Sequence, residues 1–199
     1  MMRRRIGDCP ETVIDELELS PYGRPIGVDD FKLAMRHLAS GVSIVTSGYG
    51  SGRRGLTVTS ACALSAAPST MVVGLNRSTE AHDAIVSNGA FAVNFLAFEQ
   101  LDIALRFAGH NGWRGEARFG LGAWTQLRTQ SPILVNCLCS VDCQLVEQVE
   151  QATHSVLIGR IVESVRRVDG DPLIFFKGQF TSINNVDLLS DYIENGFGA

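Results

Sequence analysis

A stretch rich in hydroxyl groups, Gly55 to Ser65, is the part of the sequence best equipped for binding chemistry. It begins as an alternating strand and then runs into small residues. The hydroxyls of Thr57, Thr59, Ser60 and Ser65, with backbone N–H groups that no large side chain covers, can hold a phosphate or a heterocycle carbonyl. Threonine is also a common strand residue, so a half-exposed sheet without a ligand is the alternative interpretation.

A second anion-binding feature follows the next predicted strand, Thr70 to Leu75, which delivers the segment 76–79 to the start of a short helix. A helix N-terminus that faces a hydroxyl-rich strand favours an anion. Glu80 in the first turn suits the helix dipole, but it would repel a phosphate placed close by. Arg53 and Arg54, just before the hydroxyl-rich strand, are within reach of an anion held there.

The loop before that strand contains the pattern Gly-x-Gly-x-x-Gly, from Gly50 to Gly55. A dinucleotide-binding fingerprint requires this pattern to open a helix. Here it opens an alternating β segment, so the sequence predicts a hairpin loop.

Three cysteines, Cys137, Cys139 and Cys143, fall on one face of a predicted strand by the two-residue period. Three thiols on one face raise the possibility of a metal site. No second ligand pair at zinc spacing accompanies them, and free cysteine is among the most buried residue types. We therefore expect core thiols and no metal.

The composition bounds the class of protein. The chain has 199 residues, 45% apolar residues and 20 glycines, which is typical of one compact, turn-rich domain. A net charge of −4 without a clustered basic face argues against a protein that binds nucleic acid. No run approaches the roughly 20 apolar residues that span a bilayer, and acidic residues between positions 6 and 20 exclude a signal-peptide core. We expect a cytoplasmic protein that binds no membrane.

The order of elements indicates the fold. A helix begins at Asp29-Asp30, which cap it, and ends at Gly41; a second runs from Phe98 to Gly109. A loop from His110 to Ser131 packs on its own aromatics, and Ile133 to Glu150 forms one long strand or two.

About seven strands and two or three helices without βαβ alternation predict a mainly β (α+β) fold. We expect an antiparallel Greek-key barrel with peripheral helices over residues 29–183. An N-terminal arm, 1–28, and a C-terminal tail, 184–199, with a short helix over residues 186–193, would flank it.

A series of short segments recurs in a recognisable order over roughly residues 30–183. The segments are Phe31–Met35, Ala39–Thr46, Gly55–Ser60, Leu64-Ser65, Pro68, Phe91–Leu96, Arg106–Ala108, Thr153-His154, Ile158–Arg160 and Pro172–Phe180. Their order resembles that of the flavin reductase family, whose fold is the FMN-binding split barrel. These proteins are reductase components of two-component flavin-dependent monooxygenases, such as those of the 4-hydroxyphenylacetate hydroxylase type.

The resemblance implies a homodimer with flavin bound near the subunit interface. The flavin-binding positions that it implies are Gly55, Leu56, Thr57, Thr59, Ser60, Gly74, Leu75, Asn76, Ala81, Arg106 and Phe107, the last two closing on the flavin. The candidates for binding its phosphate are Arg53, Arg54 and Arg77. His154 matches the histidine of a Gly-Asp-His motif at which nicotinamide stacks, so the resemblance makes His154 the catalytic residue and Thr153 its neighbour in nicotinamide binding. This chain departs from the motif with Ala152-Thr153-His154.

The expected activity is hydride transfer from NADH or NADPH to FMN or FAD, with reduced flavin supplied by diffusion to a partner oxygenase. Two alternatives stay open. One is an oxidoreductase that retains its flavin and reduces its own substrate, and the other is a flavin- or haem-binding module without turnover. The sequence does not choose between FMN and FAD, and NADH is favoured only because no basic pair is aimed at a 2′-phosphate.

Overall fold

The structure is a computed structural model that describes residues 23–183. Most of the predicted arm, and the predicted tail with its helix, lie outside the described residues. Backbone contacts divide the chain after Leu38 into two units. No helix among the described residues is long and apolar enough to cross a membrane.

The first unit contains helix α1, Val28–Met35. Gly27 occupies the N-cap position, so the prediction that Asp29-Asp30 cap this helix is wrong. Both carboxylates lie in the first turn, where their charge complements the helix dipole. The helix also ends earlier than predicted, with Arg36 as its C-cap, and its apolar side chains, Phe31 among them, are exposed.

The second unit is built from strands that pair only in the antiparallel sense among the described residues. Two α-helices lie between these strands. The strands are β1 (Ser40–Gly41), β2 (Ser43–Ser47), β3 (Arg54–Val58), β4 (Ala61–Ala66), β5 (Ser69–Asn76), β6 (Ala90–Phe95), β7 (Trp124–Gln126), β8 (Pro132–Leu134), β9 (Cys139–Gln151), β10 (His154–Arg166), β11 (Ile174–Phe176) and β12 (Gln179–Thr181), and the helices are α2 (Glu80–Asn88) and α3 (Leu101–Phe107). The prediction of a mainly β, antiparallel fold with few helices is confirmed.

Seven strands form the main sheet in the order β3-β2-β6-β9-β10-β5-β4. Its two edge strands, β3 and β4, are consecutive in sequence and are joined only through Thr59-Ser60. A two-residue link can connect opposite edges only if the sheet curls strongly. Smaller sheets, β1-β11-β12 and β7-β8, complete the unit.

The local turn predictions are largely confirmed. The loop from Gly50 to Gly55 connects antiparallel β2 and β3 through a short 3₁₀ turn, Gly50–Gly52, so it is a hairpin loop. Helix α2 begins after Thr79, whose side chain caps it, and ends at Gly89 in the left-handed conformation.

Two predicted elements are interrupted. The hydroxyl-rich strand breaks at Thr59-Ser60 into β3 and β4, and the predicted helix from Phe98 begins with a 3₁₀ turn. Of the two alternatives for Ile133 to Glu150, one long strand or two, the structure has two, β8 and β9. Short strands separated by one or two residues leave no turn signature, which explains why the structure has more strands than the predicted seven.

Two apolar clusters form the core of the second unit. The first joins the inner faces of the main sheet, with Phe91 and Leu157 fully buried. The second lies under the loop from His110 to Ser131, where Phe107, Phe119 and Trp124 contact one another with ring centroids 4.9–5.3 Å apart. The prediction that this loop packs on its own aromatics is therefore confirmed.

A buried amide connects the strands at one end of the sheet. Asn94 is fully buried on β6, and its Nδ2 donates to the carbonyl oxygen of Ile44 (3.1 Å). Its Oδ1 accepts from the Leu134 amide (2.8 Å) and the Ser140 hydroxyl (2.7 Å). A buried polar group that is satisfied on both sides stabilises one register of β2, β6, β8 and β9.

Gly159 is required by a close contact in the core. A Cβ at this position of β10 would lie 2.4 Å from Cζ of Phe91 and 2.9 Å from Cβ of Cys143. We therefore expect Gly159→Ala to lower the free energy of unfolding by about 1–3 kcal/mol through overpacking. Urea unfolding measures it, with Gly52→Ala as the control, since a Cβ there meets nothing within 4 Å. Equal stability of the two variants would contradict this account of the core.

Candidate functional site

The register between β5 and β10 places Asn76 directly opposite His154. The side-chain oxygen of Asn76 accepts from the amide and the hydroxyl of Ser78, both at 2.9 Å. This leaves the Asn76 amide NH₂ with no hydrogen bond to any residue that the structure describes. An oriented donor therefore lies next to the histidine.

The turn that holds His154 connects β9 to β10 through Ala152 and Thr153. Ala152 has a φ of +48°, a conformation that favours glycine. The Thr153 hydroxyl lies 2.8 Å from Nδ1 of the exposed His154 ring, and its carbonyl accepts from the Arg77 amide at 2.9 Å. Nε2 of His154 makes no hydrogen bond within residues 23–183.

The hydroxyl groups of the Gly55–Ser65 stretch divide into bonded and free ones. Thr57 donates to the Ala104 carbonyl at 2.6 Å, and Ser60 donates to the Gly74 carbonyl at 2.7 Å. The Ser60–Gly74 contact brings the β3–β4 link against β5. Thr59 is exposed, and its hydroxyl has no partner in the described part of the chain, so it can bind a ligand.

Arg53, which precedes β3, and Arg54, its first residue, contact different parts of the chain. Nε of Arg54 lies 3.5 Å from Oε2 of Glu80, the first residue of α2. Arg53 lies over the Phe119 ring, 4.7 Å from its centroid, and forms an ion pair with Glu116 at 3.4 Å. Of this pair, Arg54 is therefore on the side of α2, which follows Asn76 in the chain.

A cavity of about 400 Å³ lies beside Arg53. Its lining residues are Tyr49, Gly50, Arg53, Trp124, Thr125, Gln126 and Pro132. It contains neither Asn76 nor His154, so it does not form part of the site that those two residues define.

Several predicted flavin-binding residues have buried side chains. Leu75 and Ala81 are buried in the core, so only their backbone atoms are available to a ligand. Gly55 is also buried, and a Cβ there would lie 2.9 Å from Cε1 of Phe107 and from the Val45 carbonyl oxygen. Leu56 packs partly buried against the first core cluster, and Gly74 is half-buried.

Arg106 and Phe107 support the loop that follows α3. Phe107 is 0% exposed, and Arg106 donates to the Ala117 carbonyl (2.6 Å) and stacks over the Trp113 ring, 3.6 Å from its centroid. Their predicted contact with flavin stays a prediction, because the contacts described here are all with the protein itself.

Arg118 belongs to the same region and was not among the predicted residues. Its guanidinium donates to the Gly55 carbonyl at 2.6 Å. Burial lowers the pKa of Arg118, the nearby Glu80 carboxylate opposes this shift, and Arg114 adds to it. It lies in a Gly-rich loop without periodicity, so nothing in its sequence position signals this contact.

A buried polar cluster lies behind His154 and was also missed. Nε2 of His82 on α2 is 3.0 Å from the Ser155 hydroxyl, which also accepts from Nε2 of Gln148 at 3.2 Å. These contacts tie the first turn of α2 to the strand residue next to His154. The sequence did contain one signal of this cluster. His82 falls among the buried positions of a helix, and a buried histidine side chain needs a polar partner.

The thiols that the sequence assigned to the core are buried or half-buried. Burial raises the pKa of Cys143 to about 12, and it also raises the pKa of Cys137 and Cys139. Protonated thiols are poor metal ligands and poor nucleophiles. Among the described residues, no group of histidine, cysteine and carboxylate side chains is arranged to hold a metal ion.

The chain matches the family model for a flavin reductase-like domain over residues 35–184. It is 32% identical over 166 residues to an FMN reductase (NADH) RutF of Stutzerimonas stutzeri, covering 83% of this chain and 94% of that protein. It is 33% identical over 150 residues to the 4-hydroxyphenylacetate 3-monooxygenase reductase component of Pseudomonas aeruginosa, covering 75% and 88%. The structure is similar to BorF, the flavin reductase component of a bacterial two-component tryptophan halogenase, with a TM-score of 0.74, 26% identity, and coverage of 80% of this chain and 99% of that chain.

The two threonines of the site should differ in what they contribute to stability. Thr57→Val removes the donor to the Ala104 carbonyl, so we expect a loss of about 1 kcal/mol in the free energy of unfolding. Thr59→Val, the matched control, should leave stability unchanged because its hydroxyl is exposed and unbonded. Thermal unfolding of both variants tests this, and an equal loss in both would show that the hydroxyl assignments are wrong.

Proposed function

Because this chain belongs to the flavin reductase-like domain family, we propose that it oxidises NADH and reduces FMN. It is an enzyme, an NAD(P)H-dependent flavin reductase. The choice of NADH and FMN follows the activity for which the related FMN reductase (NADH) RutF is named. FAD and NADPH are the alternative substrates that the experiment below compares.

The observation that supports this function best is the pairing of Asn76 with His154. Asn76 belongs to the segment proposed to bind flavin, and His154 is the residue proposed to contact nicotinamide. Hydride transfer requires the two rings to stack at roughly 3–3.5 Å, so residues that bind them must lie side by side. Adjacent strands of one sheet, about 4.8 Å apart, meet that requirement.

The residues at the site fit a flavin. The Asn76 amide and the Thr59 hydroxyl are free donors for ring carbonyl oxygens, and Arg54 is a cation for the phosphate. We propose that the remaining predicted positions contribute through their backbone or by supporting the pocket, the backbone of Leu75 and Ala81 included. When bound, the flavin supplies the hydride-accepting ring, which is chemistry that no side chain provides.

We propose that Thr153 and His154 position the nicotinamide. The bond between the Thr153 hydroxyl and Nδ1 sets the orientation of the ring, and the exposed Nε2 edge is left for the nucleotide. Thr153 stands at the position of the aspartate in the related motif, and its hydroxyl lies 2.8 Å from Nδ1 of His154. The protein need not move a proton in this step; it orients the nicotinamide and flavin rings.

We propose that reduced flavin reaches a partner oxygenase by diffusion, as in two-component systems, and that two copies of the chain associate. Apolar side chains on β4, β9 and β10 are exposed, Leu64, Val149 and Val156 among them, and a second copy would cover them.

The proposed catalytic domain spans residues 29–183 between the arm and the tail. The proposed location is the cytoplasm, where the exposed, free Cys62 would stay reduced.

The test is steady-state oxidation of NADH and NADPH at the nicotinamide absorbance, with FMN, FAD or no flavin added to the purified chain. We expect saturable stimulation by FMN with NADH and little oxidation without flavin. Full activity without added flavin would favour an enzyme that retains its cofactor. No oxidation under any combination would contradict the proposed function and favour a binding module.

Two substitutions should distinguish the residues that bind the nucleotide from those that bind the flavin. His154→Ala should raise the KM for NADH and leave the Kd for FMN unchanged, because the ring faces the nucleotide side. Thr59→Val should raise the Kd for FMN by roughly threefold to tenfold, the value of one hydrogen bond, without changing the KM for NADH. Kinetics with varied NADH and fluorescence titration with FMN measure these constants. If His154→Ala leaves the KM and turnover unchanged, the residue has no role in nucleotide binding.

A further inference from the structure

The contact between Arg54 and Glu80 joins the two elements proposed to enclose the flavin phosphate. Arg54 begins β3, and Glu80 is the first residue of α2, after the segment that starts at Asn76. Nε of Arg54 and Oε2 of Glu80 are 3.5 Å apart, and the Glu80 side chain is 61% exposed. The pair is therefore a single, loose contact at the surface and not a bidentate bridge.

The rest of the Arg54 guanidinium is held firmly. Nη1 donates to the carbonyl oxygens of Ser51 (2.9 Å) and Arg53 (2.8 Å). Nη2 makes no hydrogen bond with any described residue, so the Nε–Nη2 edge carries only the loose Glu80 contact. Two parallel N–H groups along one edge are the arrangement with which arginine binds a phosphate in a bidentate manner.

Glu80 lies among several arginines, with Asp83 as the other acidic residue in the first turn of α2. Its carboxylate interacts with the guanidinium of Arg118, which in turn lies near Arg114. It also lies against the loop at Gly115, where a Cβ would be 3.6 Å from Oε2 and 4.0 Å from Nε of Arg54. Without this carboxylate, Arg54 would have no acidic partner among the described residues.

We propose that Glu80 is a specificity-determining residue that lowers the affinity for flavins with a 5′-phosphate. The inference rests on the proposed function. Glu80 occupies the phosphate-binding edge of Arg54, so a phosphate must displace the carboxylate and then remain close to it. A phosphate monoester has a charge near −2 at neutral pH, so the repulsion acts on FMN and is absent for riboflavin, which lacks the phosphate. Weak retention of the phosphate promotes release of the reduced flavin.

The test compares the Kd values of FMN and riboflavin, measured by flavin fluorescence in the wild type and in Glu80→Gln. We expect Glu80→Gln to bind FMN about tenfold more tightly and riboflavin with unchanged affinity. The gain comes from the loss of one repulsive charge pair at about 4 Å and from the release of Arg54. Adding Arg54→Gln to Glu80→Gln should abolish the gain. The control is Glu163→Gln, which removes the same charge from the ion pair with Arg128 far along β10 and should change neither Kd.

The outcomes separate this inference from the proposed function. If riboflavin and FMN both support NADH oxidation and Glu80→Gln binds FMN no more tightly than the wild type, Glu80 does not determine specificity while the reductase function stands. An equal gain for FMN and riboflavin would also overturn the inference, because the effect would then not depend on the phosphate. If the wild type binds neither flavin and oxidises no NADH, both proposals are wrong.

Discussion

The antiparallel register between β5 and β10 is the constraint on which the site depends. It places Asn76 opposite His154 and Leu75 opposite Ser155. A slip of one residue would turn His154 to the other face of the sheet. The register is held from both sides, since Leu75 and Leu157 are buried in the core while the Arg77 amide binds the Thr153 carbonyl in the adjoining turn.

Helix α2 links β10, one of the two strands in this register, to β3 at the edge of the sheet. Its first turn contacts β10 through His82 and Ser155, and it contacts β3 through Glu80 and Arg54. The two strands are four places apart in the main sheet. A nine-residue helix, capped by Thr79, thus brings residues from opposite parts of the sheet to one end of the curled structure. The buried Asn94 network fixes the strands between them.

Locally coded features were predictable from sequence, and features set by distant contacts were not. The hairpin loop before β3 and the limits of α2 follow from glycine and capping residues within a few positions of each feature. Phe107 is buried, and Arg118 binds the Gly55 carbonyl, because the loop from His110 to Ser131 folds back over β3. The contacting loop residues, Arg118 and Phe119, are more than ten positions from Phe107 and Gly55 in the sequence. The resemblance singled out Asn76 and His154, which the structure places opposite each other, but it could not show which hydroxyls the protein itself uses.

The charge distribution is suited to a substrate that must leave. Each of the three arginines considered for the phosphate has an acidic partner: Arg53 has Glu116, Arg54 has Glu80 and Arg77 has Glu150. A site evolved for tight phosphate retention would keep its cations unpaired or bind them to backbone carbonyls alone, because every carboxylate nearby must be displaced or tolerated. Most of the hydroxyls are likewise engaged by the protein. Thr57 and Ser60 donate to backbone carbonyl oxygens, and the Thr59 hydroxyl is left for the proposed ligand. The proposed flavin site therefore offers few free groups, as expected of a site that orients a flavin without holding it for many turnovers.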